Sequence, residues 1–207
     1  MKIGFYGDSF CSEISNLHSY TNRYETYIKQ VKDYYAAEIT HLGVGGSSYW
    51  DVMLRQLDKN NLPDVCIFVW TDPNRLYHPT IHSITSGSAT SQKIKHGFPG
   101  TTRYNTWKAA EQYYAYLHDN DKARVENISA FYFFDREVLP KLQTKILHMW
   151  SFESTYQWQT GVTIDTPMYS LISEKNKSFK FDFTPTHISG LEKNSTVANW
   201  IIKAINE

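Results

Sequence analysis

Residues 64–70 do most to limit what this chain can fold into. After Pro63 and Asp64 the sequence places Val65, Cys66, Ile67, Phe68, Val69 and Trp70 in an unbroken apolar run that stops at Thr71-Asp72-Pro73. A run this short, bounded by proline and polar residues and rich in β-branched and aromatic side chains, is a buried β-strand. The sequence before it alternates in type. Residues 2–6 form a short apolar run that ends at Gly7-Asp8-Ser9 and read as a first strand. Residues 24–37 carry Tyr24, Tyr27, Ile28, Val31, Tyr34 and Tyr35 at the spacing of one helical face. Residues 38–42 are a second strand, closed by Gly43-Val44-Gly45-Gly46. Ser48 caps a helix reaching about Asn60, with Tyr49, Val52, Met53 and Leu57 inward. Strand, helix, strand, helix, strand predicts an α/β domain with right-handed crossovers and a mainly parallel sheet.

The second half is less regular. Residues 71–104 are rich in Ser, Thr, Gly, Pro and His and read as a long loop insertion, either functional or disordered. Helical patterns return over about 105–118 and 122–139, the latter stopped by Pro140. Residues 145–150 read as a fourth strand and 163–164 as a short edge strand. Residues 189–206 form a final amphipathic helix with Leu191, Val197, Ala198, Ile201 and Ile202 inward. No repeat or linker interrupts the chain, so 1–207 reads as a single domain.

Composition removes several function classes. Lys+Arg and Asp+Glu each number 21, so the formal charge is zero and no basic excess is present to grip nucleic acid. Neutrality also removes self-repulsion and admits a homo-oligomer or a larger assembly as partner. Aromatic residues at 15% exclude a disordered chain. No stretch approaches 18 apolar residues, and the first residues lack the apolar core of a signal peptide. The expectation is therefore a cytoplasmic protein without a membrane partner, with export or particle association by another route as the alternative. Cys11 and Cys66 form neither a disulfide framework nor a metal spacing. His78 and His82 are four apart, but Pro79 lies between them, and a polar loop explains them better than a metal. His41, His96 and His148 read as structural. No glycine-rich phosphate cradle opens the first helix, so no nucleotide cofactor, and no cofactor of any kind, is expected.

In parallel α/β sheets ligands bind at the carboxyl ends of the strands, so the loops that follow the strands are read together. They are Gly7-Asp8-Ser9-Phe10, the segment from His41 to Ser47, Trp70-Thr71-Asp72-Pro73-Asn74-Arg75, and the stretch from Asp182 to Ser189 that contains His187. A serine, a glycine turn, polar side chains and a histidine near an acid are the parts of a nucleophilic acyl-transfer site. Serine attacks only when a base takes its proton, and histidine does so near neutral pH. Cys11 lies two residues beyond Ser9, but no base is placed for it. Arg75 and Arg103 read as surface charges or as clamps for a substrate carboxylate. Trp70, Tyr77, Tyr104 and Trp107 are a candidate aromatic platform for a sugar ring, with core packing the stronger reading of Trp70.

These blocks resemble, in order and across nearly the whole chain, those of the SGNH (GDSL-like) hydrolases. The resemblance implies a three-layer α/β/α sandwich with a mainly parallel, flavodoxin-like sheet. It implies Ser9 as nucleophile, the Gly46 amide as an oxyanion donor and His187 as general base. The ending Ile188-Ser189, Asn194 and Val197-Ala198-Asn199-Trp200-Ile201 also resembles the family's. Two blocks depart from its pattern. The third normally reads Gly-x-Asn-Asp, and Asp72 stands nearest the asparagine that helps hold the oxyanion. Thr71 and Asn74 are the other candidates for that role. The family's acid lies three residues before the histidine, where this chain has Thr184; Asp182 lies five before it. Asp182 orients the imidazole in one reading, and a Ser–His dyad works with a backbone carbonyl in the other.

The resemblance implies an esterase of the acetylesterase kind, acting on a carbohydrate or another small ester. The rival reading is a catalytically reduced module of the same fold that binds glycan or serves in a larger assembly, because fold does not fix function.

Overall fold

The computed structural model describes residues 1–12, 26–79, 83–86, 89, 99–172, 188 and 191–207. Its centre is a parallel five-stranded sheet in the order β2-β1-β3-β4-β5, the flavodoxin-like order. The strands are β1 (Lys2–Gly7), β2 (Glu38–His41), β3 (Val65–Trp70), β4 (Lys145–Trp150) and β5 (Val162–Thr163). β3 is buried along its whole length, as its unbroken apolar run requires. The edge strand lies one residue earlier than the sequence reading placed it.

Helices cover both faces and complete a three-layer α/β/α sandwich. On one face α1 (Tyr27–Tyr35) and α5 (Leu191–Asn206) pack over Ile3, Phe5, Ile67, Val69, Leu147 and Met149. On the other, α2 (Tyr49–Asp51) and α4 (Asn120–Phe133) cover Tyr6, Cys66, Phe68, Trp70, Ile146 and Trp150. Successive side chains of one strand point to opposite faces, so each strand feeds both cores. The inward faces differ from the sequence reading in two places. Tyr34 is 62% exposed and Leu191 55% exposed, because each lies at the rim of the buried stripe, near one end of its helix. Tyr24, His82 and His96 lie outside the described residues.

The helix expected to reach Asn60 is shorter. After Asp51 it widens into a π-helical turn, Val52–Gln56, and Leu57 leaves it in an extended conformation. α4 likewise widens at Phe134–Val138, and Pro140 lies within the short 3₁₀ turn, Leu139–Lys141, that follows. The described residues between 71 and 104 do more than form a bare loop. Leu76 and Ile84 form an antiparallel bridge, and Ile84 and Ala89 pack against Ala110 of α3 (Thr102–Tyr116).

One buried histidine makes stability depend on pH. His148, in β4, is fully buried and stacks on Trp158 with ring centroids 4.0 Å apart. Its Nδ1 accepts from Trp70 Nε1 at 3.0 Å, and its Nε2 lies 2.9 Å from the Thr160 carbonyl, which fixes the neutral Nε2–H tautomer. Burial pushes its pKa from 6.5 down to about 3. The unfolded chain then binds a proton that the folded chain refuses, so this contribution to stability is full above pH 6.5 and falls as pH drops toward 3. About 2 kcal/mol should be lost between pH 7 and pH 5. Thermal melts of the wild type and His148→Gln at both pH values check this; an equal pH 5 loss in the two proteins would remove His148 as its source.

Candidate functional site

The site is assembled where the strands end. β1 stops at Gly7, and Asp8 caps a single 3₁₀ turn, Ser9–Cys11, by accepting Phe10 N–H at 3.0 Å. Ser9 opens that turn and is half-buried, whereas Asp8 beneath it is wholly buried. The adjoining thiol is no competing nucleophile, because burial pushes the Cys11 pKa well up and keeps it protonated.

The glycine loop lies directly against this turn. Gly43 N–H donates to the Cys11 carbonyl at 3.0 Å and Val44 N–H to the Gly7 carbonyl at 3.1 Å. Gly46 adopts φ +80°, the left-handed region that favours glycine. A Cβ on Gly45 would lie 3.9 Å from the Ser9 Cβ, so this loop borders the serine. The Gly45 and Gly46 amides donate to no described residue.

Gly43 shows why the loop can come so near. A Cβ there would sit 2.4 Å from Cys11 Sγ and 2.9 Å from the carbonyl oxygens of Gly7 and Asp8. Gly43→Ala should therefore cost about 2 kcal/mol by overpacking. That is a melting-temperature drop of roughly 4–8 °C for a domain of this size. A melting temperature equal to wild type would mean that the loop stands off from the turn.

Gln56 fastens the same place from the other side. Its Oε1 accepts Gly7 N–H at 2.8 Å, and its Nε2 donates to the Gly7 carbonyl at 2.8 Å and to Ser47 Oγ at 2.9 Å. The side-chain amide thus continues the sheet's hydrogen bonding beyond the end of β2. Ser48 forms a capping box with Asp51, as its position ahead of the helix predicted.

The loop after β3 splits its polar residues between two tasks. Thr71 Oγ1 donates to Asp8 Oδ2 at 2.7 Å, and Arg75 Nη2 lies 3.0 Å from the same oxygen. Asp72 Oδ1 accepts both the backbone and the side-chain N–H of Asn74, at 2.8 and 2.9 Å. Ser151, just after β4, donates to Asp8 Oδ1 at 3.1 Å. Asp8 therefore joins the ends of β1, β3 and β4. Arg75 is no surface charge, since its side chain is only 10% exposed.

Two hollows flank this centre. A cleft of about 640 Å³ is lined by Asp72, Asn74, Arg124, Phe152, Glu153 and Tyr169, among others. Phe152 touches Phe10 edge-on at 5.5 Å, which sets the cleft beside the serine turn. A groove of about 380 Å³ is lined by Trp50, Tyr77 and Tyr113 among others. Of the aromatic platform expected from sequence, Tyr77 alone borders this groove. Trp70 is fully buried core, and Trp107 packs with Ile84 and Ala110.

Asp182, Thr184 and His187 lie outside the described residues. The structure brings Ser9, Gly46, Thr71 and Arg75 around the β1 end, and it pairs Asp72 with Asn74 at the cleft wall. Gln56 and Ser151 were missed. Ser151 carried a readable signal, a small polar residue directly after a strand, as at Thr71. Gln56 carried none, because its reach to Gly7 depends on the π-helical turn. Among the described residues no cluster of His, Cys, Asp and Glu could hold a metal. Nor is any helix among them long and apolar enough to cross a membrane.

No protein-family model matches the sequence, and no curated protein matches it. Solved structures are similar to it in backbone. One is the psychrotrophic esterase EstA of Pseudoalteromonas sp., in a form inhibited by monoethylphosphonate, at TM-score 0.45 and 11% identity over 99% of this chain and 96% of that one. A second is a carbohydrate esterase whose active site displays divergent catalytic and non-catalytic binding functions, at TM-score 0.46 and 11% identity over 100% of this chain and 68% of that one. A third is a GDSL-like lipase from Parabacteroides merdae, at TM-score 0.44 and 15% identity over 99% and 95%.

Proposed function

We propose that this chain is a serine-dependent ester hydrolase of the SGNH type, with Ser9 as nucleophile and His187 as base. The observation that carries the reading is the position of Ser9. It opens a tight capped turn at the carboxyl end of β1, with the glycine loop against its Cβ. Ser9 Oγ attacks the ester carbonyl carbon while His187 takes its proton. The negative charge formed on the carbonyl oxygen is met by backbone N–H groups, Gly46 foremost. His187 returns the proton to the departing alcohol, and water repeats the sequence to release the acid and free Ser9. Asp182 orients His187 in this reading. The acyl group is small, acetyl being the natural case, and the alcohol, a carbohydrate or another small ester's, occupies the cleft of Asp72, Arg124 and Tyr169. A neutral chain suits a neutral acylated substrate.

One observation favours the rival, a binding module with reduced catalysis. The residue in place of the oxyanion asparagine is Asp72, and its carboxylate is engaged by Asn74. Covalent trapping separates the two. A fluorophosphonate should label the hydrolase at Ser9, read by mass spectrometry, and should not label Ser9→Ala. An unlabelled wild-type protein would leave the binding module standing.

A further inference from the structure

The buried Asp8 carboxylate sets a requirement that neutral neighbours cannot meet. It lies fully buried at the end of β1. Phe10 N–H and Ser151 Oγ donate to Oδ1, and Thr71 Oγ1 donates to Oδ2. These bonds occupy three of its roughly four acceptor sites but leave its charge uncompensated, and a buried charge without an opposite charge is costly. Among the described residues Arg75 alone forms an ion pair with it, with Nη2 3.0 Å from Oδ2.

The second arm of the same guanidinium points elsewhere. Arg75 Nη1 donates to the Ser47 carbonyl at 2.8 Å, immediately after the Gly43–Gly46 loop. One planar, rigid fork thus spans the turn that carries Ser9 and the loop that carries the Gly45 and Gly46 amides. Arg75 is itself fixed on both sides. Tyr114 OH donates to the Asn74 carbonyl at 2.7 Å and accepts Leu76 N–H at 3.2 Å. The clamp is therefore anchored through α3 and set before any substrate arrives.

We propose that Arg75 is a positioning residue, which fixes the distance between the serine nucleophile and the glycine-loop amides. The proposal rests on the ester-hydrolase reading above. Arg75 does not touch the reacting atoms; it acts through Asp8 and Ser47. Lysine can keep the charge beside Asp8 but cannot hold both acceptors in one plane.

The test uses the full chain, p-nitrophenyl acetate turnover and the rate of fluorophosphonate labelling at Ser9. Arg75→Lys should lower kcat and the labelling rate by about 10²-fold with KM little changed, the size of loss that small misplacements produce. In Arg75→Gly, millimolar guanidinium ion should restore the labelling rate by about tenfold or more, since it refills the fork without repairing the chain. Circular dichroism and thermal melts establish that each variant is folded, and Arg75→Lys decides the matter if Arg75→Gly does not fold. A folded Arg75→Lys that labels at the wild-type rate overturns the proposal alone. A folded Arg75→Gly that does not respond to guanidinium does the same. A wild-type protein that does not label at all overturns the hydrolase reading and this inference with it.

Discussion

Replacing Ser9 with alanine is expected to lower kcat for p-nitrophenyl acetate by about 10⁴-fold or more, with little change in melting temperature. The first part follows from chemistry. In the proposed hydrolase no acyl-enzyme forms without Oγ, and the oxyanion donors alone retain only a small share of the rate enhancement. The second part follows from how the turn is built. Its shape comes from the Asp8 side chain accepting Phe10 N–H and from Cys11 N–H donating to the Asp8 carbonyl, and neither bond passes through the serine hydroxyl. Stability and activity should therefore separate at this position. Steady-state kinetics beside a thermal melt would show it. Turnover within a few-fold of wild type in a normally folded Ser9→Ala protein would exclude Ser9 as nucleophile.

The sheet was legible because its signals are local. The apolar run of β3 and the alternation of strand and helix patterns before it need no tertiary knowledge, and both appear where the sequence placed them. The same holds for the Ser48 cap, whose capping box with Asp51 spans three residues. The elements misjudged in length are those whose ends are set from a distance. Helix α2 was expected to reach Asn60, yet the chain widens at Val52–Gln56, where Gln56 binds Gly7 across 49 positions of sequence. No periodicity encodes that contact.

The candidate site divides in the same way. Ser9 and the glycine loop are legible because they follow strands directly, and ligand-binding loops belong there in this class of sheet. Asp8 caps the turn, but its larger part is to collect Thr71, Arg75 and Ser151 from two other strand ends, and such a convergence exists only once the strands are side by side. Arg75 illustrates the cost of reading residues singly. An arginine in a polar loop has a solvated face as its ordinary explanation, and its burial follows from a carboxylate 67 positions earlier in the chain.

That convergence predicts opposite behaviour for two adjacent residues. Whereas Ser9→Ala should leave the fold intact, Asp8→Ala should destabilise it by about 3–5 kcal/mol, the usual cost of removing one partner from a buried ion pair. The loss is large because the Arg75 guanidinium, with its side chain only 10% exposed, remains buried without its carboxylate. Thr71 and Ser151 lose the acceptor for their hydroxyl protons in the same step. Chemical denaturation should show the midpoint falling while the slope stays near wild type, since the surface exposed on unfolding hardly changes. The pair can then be taken apart further. Asp8→Ala combined with Arg75→Met removes both charges, and replacing a buried pair by apolar residues is often close to neutral. The double variant should therefore recover much of the lost stability. It should not recover turnover, because methionine cannot hold the Ser47 carbonyl, and the glycine loop loses one of the ties that set its place against Ser9. If stability is not regained, the cost of Asp8→Ala lies in the hydrogen bonds of the turn and not in the ion pair. If turnover returns together with stability, the fork on Arg75 has no part in placing the loop.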